Sequence, residues 1–282
     1  MPIAEDATAI KEREHKSWTF VAPGWRKHDA RLVEITTPVT ERMLELARIK
    51  GGQHILDLAC GTGEPALAAA GRIDGGRVVA LDFVEEMLDF AREKAAARRL
   101  TNIEFQRTDA EALRFANDSF DAVTMRFGLM FLPDPLACAQ KAYRVLKPGG
   151  RFVAACWADP KDNRWASMPM RIIRRELNLE TPPPGSPGLF AFADRSRFES
   201  VLHEAGFHHV SVEPITLRMA DFDTPAEYFT FTRELAGPIA ILFSQLPPDR
   251  QAAVRDEIER EAAGPDGRVR IDGITWVAHG EK

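Results

Sequence analysis

The chain of 282 residues is 45% hydrophobic and carries a formal charge of −5, enough apolar material for one large domain or one domain plus a cap. Its lysines and arginines are scattered among acids, which argues against a nucleic-acid partner, because such proteins present a basic footprint to phosphates. No apolar run approaches the roughly 20 residues that cross a bilayer. The three separated cysteines, Cys60, Cys138 and Cys156, form neither a disulfide framework nor a zinc spacing and fit a reducing cytoplasm.

Residues 1–16 mix charges of both signs, including Glu5, Lys11 and Glu14, and read as an exposed helix rather than a secretory signal. From His54 onward, short apolar runs alternate with helical patterns, the mark of βαβ units and a parallel sheet. Strands are expected at 54–58, 77–82, 102–107, 120–125 and 151–157. Between them fall a turn at Gly61-Thr62-Gly63, a helix starting near Pro65, an amphipathic helix over 84–98, a helix over 134–146 and a turn at 147–150. A short helix around 168–177 and a rigid proline-rich loop at 181–188 follow. Asp194 then reads as the N-cap of a helix ending at Gly206, with a sixth strand at 207–217. Residues 224–263 read as two helices broken at Pro247-Pro248, and 274–278 as a last strand, expected antiparallel.

These elements specify an α/β fold: a Rossmann-like, seven-stranded, mostly parallel sheet with helices on both faces. The expected organisation is an N-terminal helical cover over 1–50, a core over 51–157, a cap insert over 158–193, a core helix and strand over 194–220, a helical cap insert over 221–268 and a final strand over 269–282. Ligands of such sheets sit outside the carboxyl ends of the parallel strands, and both inserts follow a strand. Both should therefore emerge on the ligand face.

Asp57-Leu58-Ala59-Cys60-Gly61-Thr62-Gly63 follows a strand and opens a helix. Gly61 and Gly63 allow a tight turn close to a ligand, and the helix start offers N–H groups to an anion. Asp82, ending the second strand, can accept both hydroxyls of a ribose. Asp109 can accept from an adenine amino group, with Ala110 supplying a backbone N–H. Gly61 to Ala66 also formally satisfies a dinucleotide fingerprint, so a nicotinamide oxidoreductase is an alternative. Against it, Asp57 and Glu64 would repel a pyrophosphate by about 1 kcal/mol each even in water at 4 Å, whereas the ammonium of a methionine moiety would favour Asp57.

From about residue 18 to 150 the chain resembles the class I, type 11 S-adenosylmethionine-dependent methyltransferases, the group that includes ubiquinone- and menaquinone-biosynthesis methylases. A bacterial subgroup is similar in Arg126-Phe127-Gly128-Leu129-Met130-Phe131, Asp134-Pro135, Cys156-Trp157, Asn163-Arg164-Trp165, the segment from Pro187 to Phe192, and Ala205-Gly206-Phe207, extending the likeness over nearly the whole chain. The resemblance implies S-adenosylmethionine as cofactor. It implies that Asp57, Ala59, Gly61 and Gly63 line its methionine part, Asp82 its ribose, Phe83 and Met87 its adenine, and Asp109 and Ala110 the adenine edge. Arg126 would offer its backbone carbonyl to the ammonium, beside Phe127. Ala59 stands where the family usually has its first glycine. Further motifs of the ubiquinone group are absent, so quinone precursors are not implied.

The expected reaction is an in-line displacement by O, N or C of a small apolar or aromatic acceptor. Orientation supplies most of the rate, with cation–π attraction from lining rings. His28 is the first candidate base, while His15, His54, His203, His208, His209, His279 and Tyr143 read as structural or surface groups. No Asp, Asn and His cluster suggests a metal. An aromatic acceptor pocket is expected from Trp18, Trp25, Met130, Trp157, Trp165, Met168, Phe190 and Phe192, with Arg164 or Arg126 as an anchor for a carboxylate or phosphate. A non-catalytic donor-fold module is a further alternative. The protein is expected to be cytoplasmic, with a small-molecule acceptor as partner, and a monomer or homodimer.

Overall fold

Short runs such as Ile55-Leu56-Asp57-Leu58 are buried on both faces, which suits interior strands of a parallel sheet covered by helices. The computed structural model describes residues 6–282 and contains β1 (His54–Leu58), β2 (Arg77–Asp82), β3 (Ile103–Arg107), β4 (Phe120–Arg126), β5 (Leu146–Trp157), β6 (His208–Phe222) and β7 (Val269–Glu281). They form one seven-stranded sheet in the order β3-β2-β1-β4-β5-β7-β6. All pairs are parallel except those of β7, which runs antiparallel to both β5 and β6. The Rossmann-like expectation and the reversed last strand are both met.

Three differences have physical reasons. The turn expected before β5 is an irregularity inside it: Leu146 already pairs with Phe120, and the register shifts before Ala122 meets Arg151. Gly149 supplies the required φ of +78°. Strands β6 and β7 are longer than expected and zip together past the sheet's end, from Ser211–His279 to Phe222–Val269. On this edge the open face is polar, so the apolar signal fades although the ladder continues. Finally, residues 225–262 hold three helices rather than two, because a second break falls at Ala236-Gly237-Pro238, where proline cannot continue the preceding helix.

The N-terminal segment forms α1 (Ala7–Lys27) and α2 (Asp29–Leu46), joined at His28. The portion of the expected exposed helix over 1–5, with Glu5, lies outside the described residues. Asp6 caps α1 by accepting from the Thr8 N–H. The sheet's covering helices are α3 (Ala66–Ala70), α4 (Glu85–Ala97), α5 (Pro135–Val145) and α7 (Arg195–Glu204). Asp134 and Asp194 accept from Ala137 and Ser196 N–H at 2.9 and 2.8 Å, capping α5 and α7. Helix α6 (Arg164–Glu176) starts earlier than expected, and α8 (Pro225–Leu235), α9 (Gly237–Ser244) and α10 (Pro248–Ala262) follow β6. Thr224 and Glu227 close a reciprocal cap on α8.

Two large apolar cores result, with smaller clusters around Ile55, Ala69 and Leu88 and around Ala22, Val84 and Met87. The larger joins the sheet to its flanking helices through Leu56, Val123, Phe152 and Phe198. A second knits α6, α8, α9 and α10 through Ile172, Phe229, Ile239 and Ile258. The Tyr228 hydroxyl, donating to the Trp165 carbonyl at 2.7 Å, ties α8 to α6. Between the cores, at the carboxyl ends of β1, β2 and β4, lies a cavity roofed by α1, α2, α8 and α9. No helix among the described residues is long and apolar enough to cross a membrane.

Candidate functional site

Asp57 ends in a fully buried position on β1. Its Oδ1 accepts from the Thr124 hydroxyl of β4 at 2.6 Å, while Oδ2 has no partner. Burial pushes this carboxyl up to about 7, against the opposing pull of the Thr124 hydroxyl and the Arg126 charge. The chain then turns through three positive φ angles, at Ala59 (52°), Gly61 (52°) and Gly63 (108°). Alanine in this left-handed region costs roughly 1–2 kcal/mol. Its methyl group is accommodated because the residue facing it is Gly128, where an added Cβ would lie 2.6 Å from Ala59 Cβ. Gly63 is needed for packing, since a Cβ there would come 2.6 Å from Leu67 Cδ1, whereas Gly61 faces open space.

Asp82 fastens the loop to β2. Its Oδ2 accepts from Gly61 N–H at 2.8 Å and its Oδ1 from Val84 N–H at 2.9 Å. Burial raises its pKa despite these bonds. Asp82, Phe83, Met87, Asp109 and Ala110 line one continuous wall with Ala59 and Gly61. Asp109 holds the Glu111 N–H on one oxygen, and Lys11 of α1 reaches the other at 2.7 Å while also pairing with Glu111 at 2.6 Å. Asp57 and Gly63 are not in the wall; they lie beneath the loop and shape it. Glu64 does line the cavity but is engaged by Arg98 at 2.8 Å and by the Ala68 N–H at 3.1 Å. Its charge is therefore compensated and no longer weighs against a pyrophosphate.

The rest of the cavity is aromatic. Trp18, Trp25, Met130, Trp157 and Trp165 all line it, with Arg126 and Phe127. Phe127 (φ +60°) follows the last residue of β4 and stacks on Trp157 at 4.6 Å with the rings nearly parallel. Trp18 meets Phe131 edge-on at 5.1 Å. Trp25 Nε1 donates to the Leu235 carbonyl at 2.9 Å, pinning α1 to α8, and Trp165 Nε1 donates to Asn163 Oδ1 at 3.1 Å. The indole N–H groups are thus used internally and the ring faces remain for the cavity.

Other expected residues lie elsewhere. His28 is outside the cavity: its Nε2 is 2.6 Å from Glu234 Oε2 and its ring packs on Phe231, facing a separate groove. Phe192 is fully buried against Phe198 at 4.8 Å, and neither it nor Phe190 reaches the cavity wall. The 188–193 segment is folded back on itself, with Gly188 N–H bonded to the Met130 carbonyl and Ala191 N–H to that of Gly188, and Leu189 takes the wall position. Met168 belongs to the helical core. Arg164 points toward the Glu261 carbonyl at the surface. His208 sits opposite Glu281 at the far end of the sheet.

The structure adds residues the pattern alone did not flag. Glu14 is buried in the wall although it reads as one charge in an exposed run. The clue was spacing: Ile10, Glu14, Ser17 and Val21 are all buried on α1, the helical repeat of one inward face. Phe231, Leu235 and Pro238 come from α8 and α9, and Met219 from the extended part of β6. The three cysteines are buried, and burial raises every thiol far enough to make it unreactive. Among the described residues no three metal-ligating side chains stand together.

A family model described as a methyltransferase domain matches residues 55–150. Proteins named demethylmenaquinone methyltransferase are 33% identical over 157 residues in Listeria monocytogenes and 35% identical over 178 residues in Lactococcus lactis. These matches cover 55% and 57% of this chain and 66% and 68% of those proteins. Among solved structures, the YcgJ protein of Bacillus subtilis superposes with a TM-score of 0.59 at 18% identity, covering 86% of this chain and 97% of the other. That likeness establishes the shared fold.

Proposed function

We infer the acceptor from a settled premise: the chain belongs to the class I S-adenosylmethionine-dependent methyltransferases, in the group that includes the menaquinone-biosynthesis methylases. The acceptor is a small, largely apolar or aromatic molecule taken into the indole- and phenylalanine-lined half of the cavity. The observation that carries this reading is the continuity of one cavity from the Ala59–Gly61 and Asp82 wall to Trp18, Trp25, Trp157 and Trp165.

The residues present fit the donor. Gly61 leaves open space where a side chain would stand, and Asp82, in the wall, is fastened by two N–H groups with lone pairs to spare. Asp82 would hold the ribose hydroxyls, Phe83 and Met87 the adenine faces, and Asp109 with Ala110 the adenine edge. Ala59, Gly61 and the Arg126 carbonyl would follow the amino-acid end, with Phe127 beside it. When bound, the donor supplies a methyl group already activated on a sulfonium.

The protein's contribution is then placement. Rings at Phe127 and Trp157 are held rigid by mutual stacking and favour a passing cation by about 0.5–2 kcal/mol. The helical roof excludes water and fixes the acceptor's approach, the kind of orientation worth orders of magnitude in rate. No histidine or tyrosine lines the cavity among the described residues. The wall's carboxylates are engaged as well, Glu14 by Arg13, Glu64 by Arg98, Asp82 by two N–H groups and Asp109 by Lys11, so the site suits an acceptor whose attacking atom is already electron-rich at working pH. Incubation with labelled donor and a panel of phenols, amines and quinols, including a demethylmenaquinone analogue prompted by the relatives' name, tests this. Transfer to aromatic members is expected; transfer only to polar acceptors such as peptides or nucleic acid would refute it.

A further inference from the structure

Arg126 leaves β4 at the cavity wall, and of the two arginines expected as an anion anchor it is the one that lines the cavity. Its Nη1 donates to the Thr36 hydroxyl at 2.6 Å and to the Thr40 hydroxyl at 3.0 Å. Both threonines lie on α2 and are 6% and 5% exposed, so the guanidinium is fixed by two buried neutral oxygens. These orient it without neutralising it. Among the described residues no carboxylate comes within ion-pair distance of Arg126. The three acids that act on it from farther away are Glu64, Asp57 and Asp29, and two of them are ion-paired elsewhere. Glu64 is paired with Arg98 at 2.8 Å and Asp29 with Lys94 at 2.7 Å, while Asp57 is buried on the Thr124 hydroxyl. Arginine cannot shed its charge as lysine can. A permanently charged guanidinium therefore stands in the cavity wall with no anion in ion-pair contact, an arrangement that is costly unless a ligand completes it.

We propose that the Arg126 side chain, set by Thr36 and Thr40, is the carboxylate seat of the cavity. A planar carboxylate matches the guanidinium fork through two parallel N–H donors. Two molecules could bring that group: the donor, through its amino-acid end, or an acidic aromatic acceptor. The inference rests on the methyl-donor reading, and the experiment separates the two.

Calorimetry would compare the full chain with Arg126→Met and Arg126→Lys, each checked for cooperative unfolding. The ligands are S-adenosylhomocysteine and 5′-methylthioadenosine, which keeps the nucleoside and sulfur but lacks the amino-acid end. The acidic acceptor arm uses 2-naphthoate against uncharged 2-naphthamide, with S-adenosylhomocysteine present. The carboxylate seat predicts at least a roughly tenfold loss for a carboxylate-bearing ligand in Arg126→Met, as expected for losing a charged hydrogen-bond partner, with a smaller loss in Arg126→Lys. Selective loss of S-adenosylhomocysteine over methylthioadenosine assigns the seat to the donor; selective loss of naphthoate over naphthamide assigns it to the acceptor. Because removing a cation should relieve the donor's ammonium, such a loss reports the carboxylate. If both carboxylate ligands stay within about twofold of wild type, or if charged and uncharged members of a pair fall equally, the seat is refuted. Failure of the wild type to bind S-adenosylhomocysteine would instead sink the donor reading.

Discussion

Replacing Gly128 by alanine probes how the family's usual glycine came to be Ala59. Gly128 has φ −100° and ψ −43°, a conformation open to any residue, so the backbone does not object. The objection is steric: the new Cβ would lie 2.6 Å from Ala59 Cβ and 2.7 Å from Met125 Cε. Overpacking of this kind costs about 1–3 kcal/mol, less about 0.4–1 kcal/mol from a stiffer unfolded chain. Met125 can move its flexible end, whereas Ala59 is held by the Cys60 N–H bond to Leu81 and by its own turn. In an Ala59→Gly background the harder of the two contacts disappears. Gly128→Ala should then cost about 1 kcal/mol less than in the wild type, measured by urea denaturation of all four members of the cycle. Equal costs in both backgrounds, within about 0.3–0.5 kcal/mol, would mean that the two residues do not compensate each other.

Asp82→Asn must turn an amide nitrogen toward either the Gly61 or the Val84 N–H. Thermal unfolding should show a loss of about 1–3 kcal/mol, and S-adenosylhomocysteine affinity should fall about tenfold or more. Asp57 gives a pH signature. Its carboxyl, pushed up to about 7 in the folded protein from an ordinary 3.8, binds a proton in the native state that the unfolded chain has released. Its contribution to stability is therefore full below about pH 4, declines up to about pH 7 and is flat above; Asp57→Asn should lack that decline in a pH series of denaturation curves. His28→Ala should leave methyl transfer within about twofold, because the imidazole faces Glu234 outside the cavity, and lower stability by less than about 1 kcal/mol. A loss of rate with unchanged donor affinity would restore His28 as a base.

The sheet was legible wherever burial on both faces left an uninterrupted apolar run. The β1 and β2 strands were readable to the residue, and Asp194 announced its helix by capping. Edge geometry was not legible: β6 and β7 extend through Arg218, Asp221, Arg270 and Asp272, residues that a solvent-facing ladder tolerates but that carry no periodic signal. That Gly61, Asp82 and Asp109 would share one wall followed from spacing, since each stands at or just after a strand's carboxyl end. The roof did not, because Phe231, Leu235 and Pro238 reach the cavity only through tertiary packing of α8 and α9. Aromatic content alone likewise could not separate Trp157, which lines the cavity, from Phe192, which fills the core. The Glu64 argument failed for a related reason: Arg98, which compensates it, is distant in the chain and was invisible to local reading.

The central claim is that the Ala59–Gly61 loop after β1 and Asp82 at the end of β2 seat a nucleoside bearing an amino acid. Isothermal titration of the full chain with S-adenosylhomocysteine, and separately with NAD, tests it most directly. One equivalent of S-adenosylhomocysteine and no NAD should bind at equal concentration. Binding of NAD in preference, or heat from neither ligand, would contradict the account.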